Sequence, residues 1–206
     1  MKVKICGLRT EEAVLAAEDA GADFLGFIFY EKSYRHVLPE EVRGLTKHVQ
    51  CAKKVGVFVD APLDEVNAAA DFCSLDFVQL HGHESIAYAR AVCRPVIKAF
   101  RWGDDFSAEE ANDYPAEIIL LDSFSKDAVG GTGQRFRWRE AAEETARLEK
   151  PLLVAGGIAS GNVREAEEVF RPYGVDVSGS LEIGKRKSIE KIREFMAVVQ
   201  KRRIPE

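Results

Sequence analysis

The stretch Lys54-Val55-Gly56-Val57-Phe58-Val59, followed two residues later by Pro62-Leu63-Asp64-Glu65, decides the fold. Its first half is a short run of β-branched and aromatic residues that is apolar on both faces, as a strand covered on both sides must be. Its second half sets a proline and two acids where a helix begins.

The same pair of signals recurs outward in both directions. Strand-like runs fall at residues 3–5, 24–29, 54–59, 77–80, 96–99, 118–121, 152–155 and 175–177. Helix starts follow them: Thr10 before Glu11-Glu12, Pro39-Glu40-Glu41, Pro62 onward, Glu84 onward, Ala108-Glu109-Glu110, Arg139-Glu140, Gly161-Asn162 and Ser188 onward. Strand and helix alternate without a succession of hairpin signals, which predicts a parallel sheet with crossover helices. Eight such units match an α/β, single-domain (β/α)8 TIM barrel over residues 1–206, close to the lower size limit of that architecture. A doubly wound open sheet fits the same alternation. No linker, low-complexity tract or shift in composition divides the chain.

Composition excludes several classes of function. The chain carries 29 Lys and Arg against 34 Asp and Glu, a net charge of −5, and the two signs are interspersed. That argues against a nucleic-acid partner, which would call for a basic stripe. The longest apolar stretch, residues 24–30, is far below the ~18 residues that span a bilayer, and the first residues lack a signal-peptide pattern. The expectation is a soluble cytoplasmic protein with no membrane partner. Cys6, Cys51, Cys73 and Cys93 form no C-x-x-C pair and read as free thiols. His81 and His83 lack a third nearby ligand, so no metal is expected.

Barrel enzymes place their chemistry at the carboxyl ends of the strands. After the first run, Lys4-Ile5-Cys6-Gly7 brings a thiol to the mouth. Cys6 is a candidate base, or else a small buried apolar residue; with a reference pKa of ~8.5 it needs a cationic or hydrogen-bonding neighbour to accept protons near neutrality. After the second run, Tyr30-Glu31-Lys32-Ser33-Tyr34-Arg35-His36 is either an anion clamp built on Arg35 or a solvated loop. His81, after the fourth run, reads as a site residue or a structural histidine. Asp122 follows four apolar residues, where burial favours a protonated, proton-donating form; it is a candidate acid, or a turn residue. Gly130-Gly131-Thr132-Gly133-Gln134 reads as a flexible lid. Gly156-Gly157, after the seventh run, and Ser178-Gly179-Ser180, after the eighth, suit a phosphate held by backbone N–H groups. Lys185, Arg186 and Lys187 either attract that phosphate or form a solvated approach to the last helix.

Taken in order, Lys4-Ile5-Cys6-Gly7, Lys32-Ser33-Tyr34-Arg35, Gly56-Val57-Phe58-Val59, Gln79-Leu80-His81-Gly82, Leu120-Leu121-Asp122, Gly130-Gly131-Thr132-Gly133, Gly156-Gly157 and Val175-Asp176-Val177-Ser178 resemble the phosphoribosylanthranilate isomerase family over nearly the whole chain. The resemblance implies a barrel enzyme of tryptophan biosynthesis. Such an enzyme converts N-(5′-phosphoribosyl)anthranilate to the 1-deoxyribulose 5-phosphate product by an Amadori rearrangement, with no cofactor. It implies Asp122 as general acid, Cys6 as general base, Arg35 on the anthranilate moiety, Asp176 near the substrate, and the loops after the seventh and eighth runs at the phosphate. The expected partner is the small phosphoribosyl substrate alone, with a monomer favoured over a homodimer.

Three departures from the family pattern stand out. Ser178-Gly179-Ser180 replaces a Ser-Ser-Gly, which moves the flexible residue by one place. The loop that follows is about two residues shorter, lacks a proline, and has Arg186-Lys187 for a Lys-Asp pair, so that a helix-start carboxylate is missing. Arg137 replaces an Asp before the aromatic Trp138. A histidine-pathway ribotide isomerase is the nearest enzyme alternative, but it calls for Asp where Cys6 stands; a non-catalytic phosphosugar-binding barrel is the alternative of another class.

Overall fold

The structure, a computed structural model, describes residues 1–103, 106–122 and 133–201, with side chains in the sixth helix from Trp138 onward. Eight parallel strands close into a barrel in sequence order: β1 (Lys2–Cys6), β2 (Phe24–Ile28), β3 (Lys53–Phe58), β4 (Phe77–Leu80), β5 (Val96–Arg101), β6 (Ile118–Asp122), β7 (Leu152–Ala155) and β8 (Gly174–Val177). β8 pairs back onto β1 through Lys2 with Gly174 and Lys4 with Asp176. All eight strand-like runs are therefore strands, and the closed barrel excludes the open sheet.

Alternation along each strand sorts the side chains. Phe24, Val55, Ile97, Ile118, Leu120 and Leu153 point inward and pack one another across the barrel axis. Their neighbours, among them Ile5, Leu25, Phe27, Leu80, Ile119 and Val154, point outward under the helices. Leu120 is fully buried at the axis, so truncation to Ala there costs about 2–5 kcal/mol.

The covering helices are α1 (Glu11–Asp19), α2 (Pro39–Leu45), α3 (Leu63–Phe72), α4 (Ile86–Ala91), α5 (Ala108–Asp113), α6 (Gly133–Thr145), α7 (Val163–Phe170) and α8 (Ile189–Gln200). Among the described residues hydroxyls cap four of them: Thr10, Ser85, Ser107 and Ser188 each accept from a backbone N–H in the first turn. Ser188 thus supplies, as a neutral cap, what the absent carboxylate before α8 would have supplied. Among the described residues no helix is long and apolar enough to cross a membrane.

Two helix starts differ from the sequence reading. Glu84 does not open α4; its carboxylate is buried, pairs with Lys98 Nζ at 2.8 Å and accepts the backbone N–H groups of Asp60 and Gly82. Ser85 is the cap. α6 begins at Gly133, ahead of Arg139, so Gly133 and Gln134 belong to a helix rather than to a lid. Residues 130–132 of the expected lid lie outside the described residues, as does the side chain of Arg137.

After β8 the chain makes a single 3-10 turn (Gly179–Leu181) and then a two-stranded antiparallel hairpin, β9 (Glu182–Ile183) and β10 (Arg186–Lys187). Lys187 is thereby buried; it is not part of a solvated approach.

Candidate active site

The strands deliver their last inward-facing residues to one cavity of about 540 Å³ at the carboxyl end of the barrel. Cys6, Arg35, His81, Asp122, Gly156, Gly157, Asp176, Ser178, Gly179 and Ser180 all line it. Cys6 arrives on β1, Asp122 on β6 and Asp176 on β8, each placed inward by the two-residue period. Ile28, Tyr30, Val57 and Val59 add a largely apolar wall between β2 and β3.

The thiol sits among charges. Burial pushes Cys6 up from its ordinary pKa, Lys4 pulls it back down, and Asp176 adds to the rise. Lys4 itself lies inside the barrel and donates to Asp176 Oδ1 at 2.9 Å. Burial alone would lower the ammonium, but Asp176 and Cys6 outweigh it and hold Lys4 charged. Gly26 makes this crowding possible, because a Cβ there would lie 2.9 Å from Cys6 Sγ and 3.1 Å from Lys4 Nζ.

On the facing side Asp122 is half-buried, its backbone carbonyl accepting from Trp102 N–H at 2.9 Å. Burial lowers the pKa of His81, with the Asp122 carboxylate working against that fall. Gln79 Nε2 lies 2.8 Å from His81 Nδ1, so the amide holds the imidazole ring in place. Among the described residues Gln79 Oε1 is buried without a hydrogen-bond partner, an acceptor on a residue of the cavity wall.

The remaining sector is built for an anion. Gly156 and Gly157 hold φ of +86° and +72°, a conformation that turns the backbone sharply after β7. Ser180 Oγ donates to the carbonyl of Ile158 at 2.6 Å and Ser178 Oγ to that of Cys6 at 2.9 Å. Those hydroxyls tie the loops together, so the backbone N–H groups are the donors that remain for a ligand. Lys187 Nζ, itself donating to the carbonyl of Ser178 at 3.0 Å, brings positive charge beneath this loop. Arg35 reaches the same region and pairs with Glu182.

Compared with known protein families, residues 3–198 match the family described as N-(5′-phosphoribosyl)anthranilate (PRA) isomerase. The chain belongs to the N-(5′-phosphoribosyl)anthranilate isomerase family. A family relative from Geobacter sp. (strain M21) is 47% identical over 205 residues, 97% of this chain and 98% of the relative. The Thermotoga maritima phosphoribosyl anthranilate isomerase crystal structure superposes with a TM-score of 0.87 at 34% identity, over 98% of this chain and 99% of that one. Another isomerase structure, in complex with reduced 1-(o-carboxyphenylamino)-1-deoxyribulose 5-phosphate, superposes with a TM-score of 0.85 at 33% identity, with the same coverage.

Sequence reading gave no role to Lys4, Gln79 or Glu182, which line this cavity or support its walls. A signal existed for the first, since Lys4 and Cys6 are two apart on one strand and must share a face. Lys187 was weighed only as one of three consecutive cations, and the hairpin that buries it is too short to leave a pattern.

Proposed function

We propose that this chain isomerises N-(5′-phosphoribosyl)anthranilate to 1-(2-carboxyphenylamino)-1-deoxyribulose 5-phosphate, the aldose-to-ketose step of tryptophan biosynthesis, acting as one barrel domain. The observation that carries the reading is the shared cavity: a thiol from β1 and a carboxyl group from β6 line it together, with an anion-suited rim formed by the loops after β7 and β8. Family membership and the superposition on an isomerase bound to a reduced product support the same substrate.

In this reading Asp122 gives its proton to the furanose ring oxygen as the bond from that oxygen to C1′ breaks, and the anthranilate nitrogen lone pair closes the C1′=N bond. Cys6, as thiolate, then takes the C2′ proton. An S–H bond forms, the C2′–H pair becomes the C1′=C2′ bond, and the iminium is neutralised. The enolamine gains a proton at C1′ and loses its hydroxyl proton to become the ketone. Each positioned proton-transfer group contributes roughly 10²- to 10⁴-fold. Binding of the phosphate by the Gly156-Gly157 and Ser178-Gly179-Ser180 loops, and of the anthranilate moiety by Arg35, holds C1′ and C2′ between the two groups. The apolar wall of Ile28, Val57 and Val59 suits the aromatic ring.

The reading takes a monomer as the acting species; size-exclusion chromatography at assay concentration should give one chain's mass. Purified protein incubated with the phosphoribosylated anthranilate should form the ribulose product on chromatography. Cys6→Ser and Asp122→Asn should each lower kcat by at least roughly 10²-fold while a reduced product analogue still binds. A wild type without turnover rejects the reading; variants with near wild-type rates reject the roles.

A further inference from the structure

Lys4 has no access to solvent; the two-residue period of β1 that turns Cys6 into the barrel turns Lys4 inward as well. A lone buried ammonium is costly, and this one is matched by its register partner on β8, Asp176, at 2.9 Å. The register partner of Cys6 on β2 is Gly26. One point in space, the Cβ position that Gly26 leaves empty, lies 2.9 Å from the thiol sulfur and 3.1 Å from Lys4 Nζ, which bounds their separation at about 6 Å. Sulfur and ammonium therefore border the same gap in the barrel interior.

We propose that Lys4 is a positioning residue for proton transfer, the cation that stabilises Cys6 as a thiolate, and that Asp176 holds this cation in place. The proposal deepens the reading of Cys6 as the base and rests on it. An opposite charge within about 4–6 Å favours the ionised form of a group by one to three pH units. The thiol needs that help, because its burial works against ionisation and a protonated thiol cannot accept the C2′ proton. The other charges that face it are Asp176 from β8, Lys187 from β10 and Arg35 from the loop after β2. Lys4 opposes burial more than any of them, and Asp176 acts in the other direction. Asp176 thus has a role without touching the reacting carbons: it keeps a buried lysine charged beside the sulfur.

The test uses a Cys51→Ser/Cys93→Ser background, which removes the two exposed thiols. Alkylation of Cys6 by iodoacetamide is followed across pH by peptide mass, and kcat/KM is measured over the same range. Lys4→Met should move the alkylation midpoint up by at least about one pH unit, and the acid limb of kcat/KM with it. Lys4→Met/Asp176→Asn, which leaves no lone buried charge, should move it in the same direction by less, and it remains readable if the single variant does not fold. Midpoints equal to or below that of the background overturn the proposal. An upward shift in a protein whose background shows no isomerase turnover supports the electrostatic role of Lys4 and rejects the isomerase reading, so the two failures are told apart.

Discussion

The Arg35 guanidinium grips the Glu182 carboxylate at two points, Nε to Oε1 at 2.6 Å and Nη2 to Oε2 at 3.0 Å. The pair ties the loop after β2 to the first strand of the β9–β10 hairpin. Tyr34 donates its hydroxyl to Oε2 at 2.7 Å and Lys187 Nζ donates to Oε1 at 2.9 Å, so one carboxylate organises both cations at this side of the cavity. Charge-assisted two-point pairing fixes orientation as well as distance. Glu182→Gln keeps the shape and removes the charge. Steady-state kinetics should show KM raised roughly tenfold, about 1.4 kcal/mol, with kcat changed by less than about threefold. An unchanged KM means that Arg35 finds its place without Glu182.

The same carboxylate gives a pH signature. Burial would raise its pKa, but hydrogen bonds from Arg35, Lys187 and Tyr34 outweigh burial and hold Glu182 at about 2. An unfolded glutamate titrates near ~4.3. The folded state therefore binds fewer protons between these values, and the stability Glu182 contributes above ~4.3 is lost as pH falls toward 2. Urea unfolding should show the wild type well ahead of Glu182→Gln at pH 7, with the gap closing by pH 2.5. A gap of constant size from pH 7 to pH 2.5 contradicts the assignment.

Gly26 tests the crowding around the thiol. A methyl group there meets Cys6 Cα at 3.0 Å, a backbone atom that cannot swing aside, and Cys6 Sγ at 2.9 Å. Gly26→Ala should displace the sulfur and lower kcat roughly 10²-fold, with KM little changed, because misplacement by about 1 Å is costly for an oriented reaction. A variant that keeps its wild-type kcat and circular dichroism spectrum rules this out.

Stability away from the chemistry turns on the buried pair Lys98–Glu84, whose side chains are only 5% and 2% exposed. Lys98→Met strands a carboxylate that pins the backbone N–H groups of Asp60 and Gly82. The cost should be about 3 kcal/mol, or roughly 6–12 °C in melting temperature for a chain of this size. Arg147→Met, which breaks an exposed pair with Glu144, should leave the melting temperature nearly unchanged, because solvent and salt screen such a pair. Scanning calorimetry on both variants separates the two classes; equal losses contradict the burial argument.

The barrel was legible because its strands are covered on both faces, which makes each of the eight runs continuous and apolar. The polar residues at the strand ends then followed from position, which is how Cys6 and Asp122 were found; Asp176 came from the family resemblance alone. What escaped has physical causes. Glu84 looks like a helix-start acid because the burial of its partner Lys98, fourteen residues away, leaves no local mark. Gly133 opens a helix from within a glycine-rich cluster whose composition reads as a loop. Lys4 drew no role because the partner that holds it, Asp176 on β8, is a contact across nearly the whole chain. Glu182 and Lys187 owe their burial to two-residue strands that no periodicity can reveal.

In the proposed reaction, sulfur and carboxyl group flank one ribose. A crystal structure of the Cys6→Ser variant with the reduced ribulose product bound tests it most directly. The expected result has the hydroxyl that stands in for the thiol at position 6 facing C2′, Asp122 facing the oxygen that closes the furanose, and the phosphate on the loops after β7 and β8. A ligand whose C2′ faces away from both positions, or whose phosphate lies elsewhere, contradicts it.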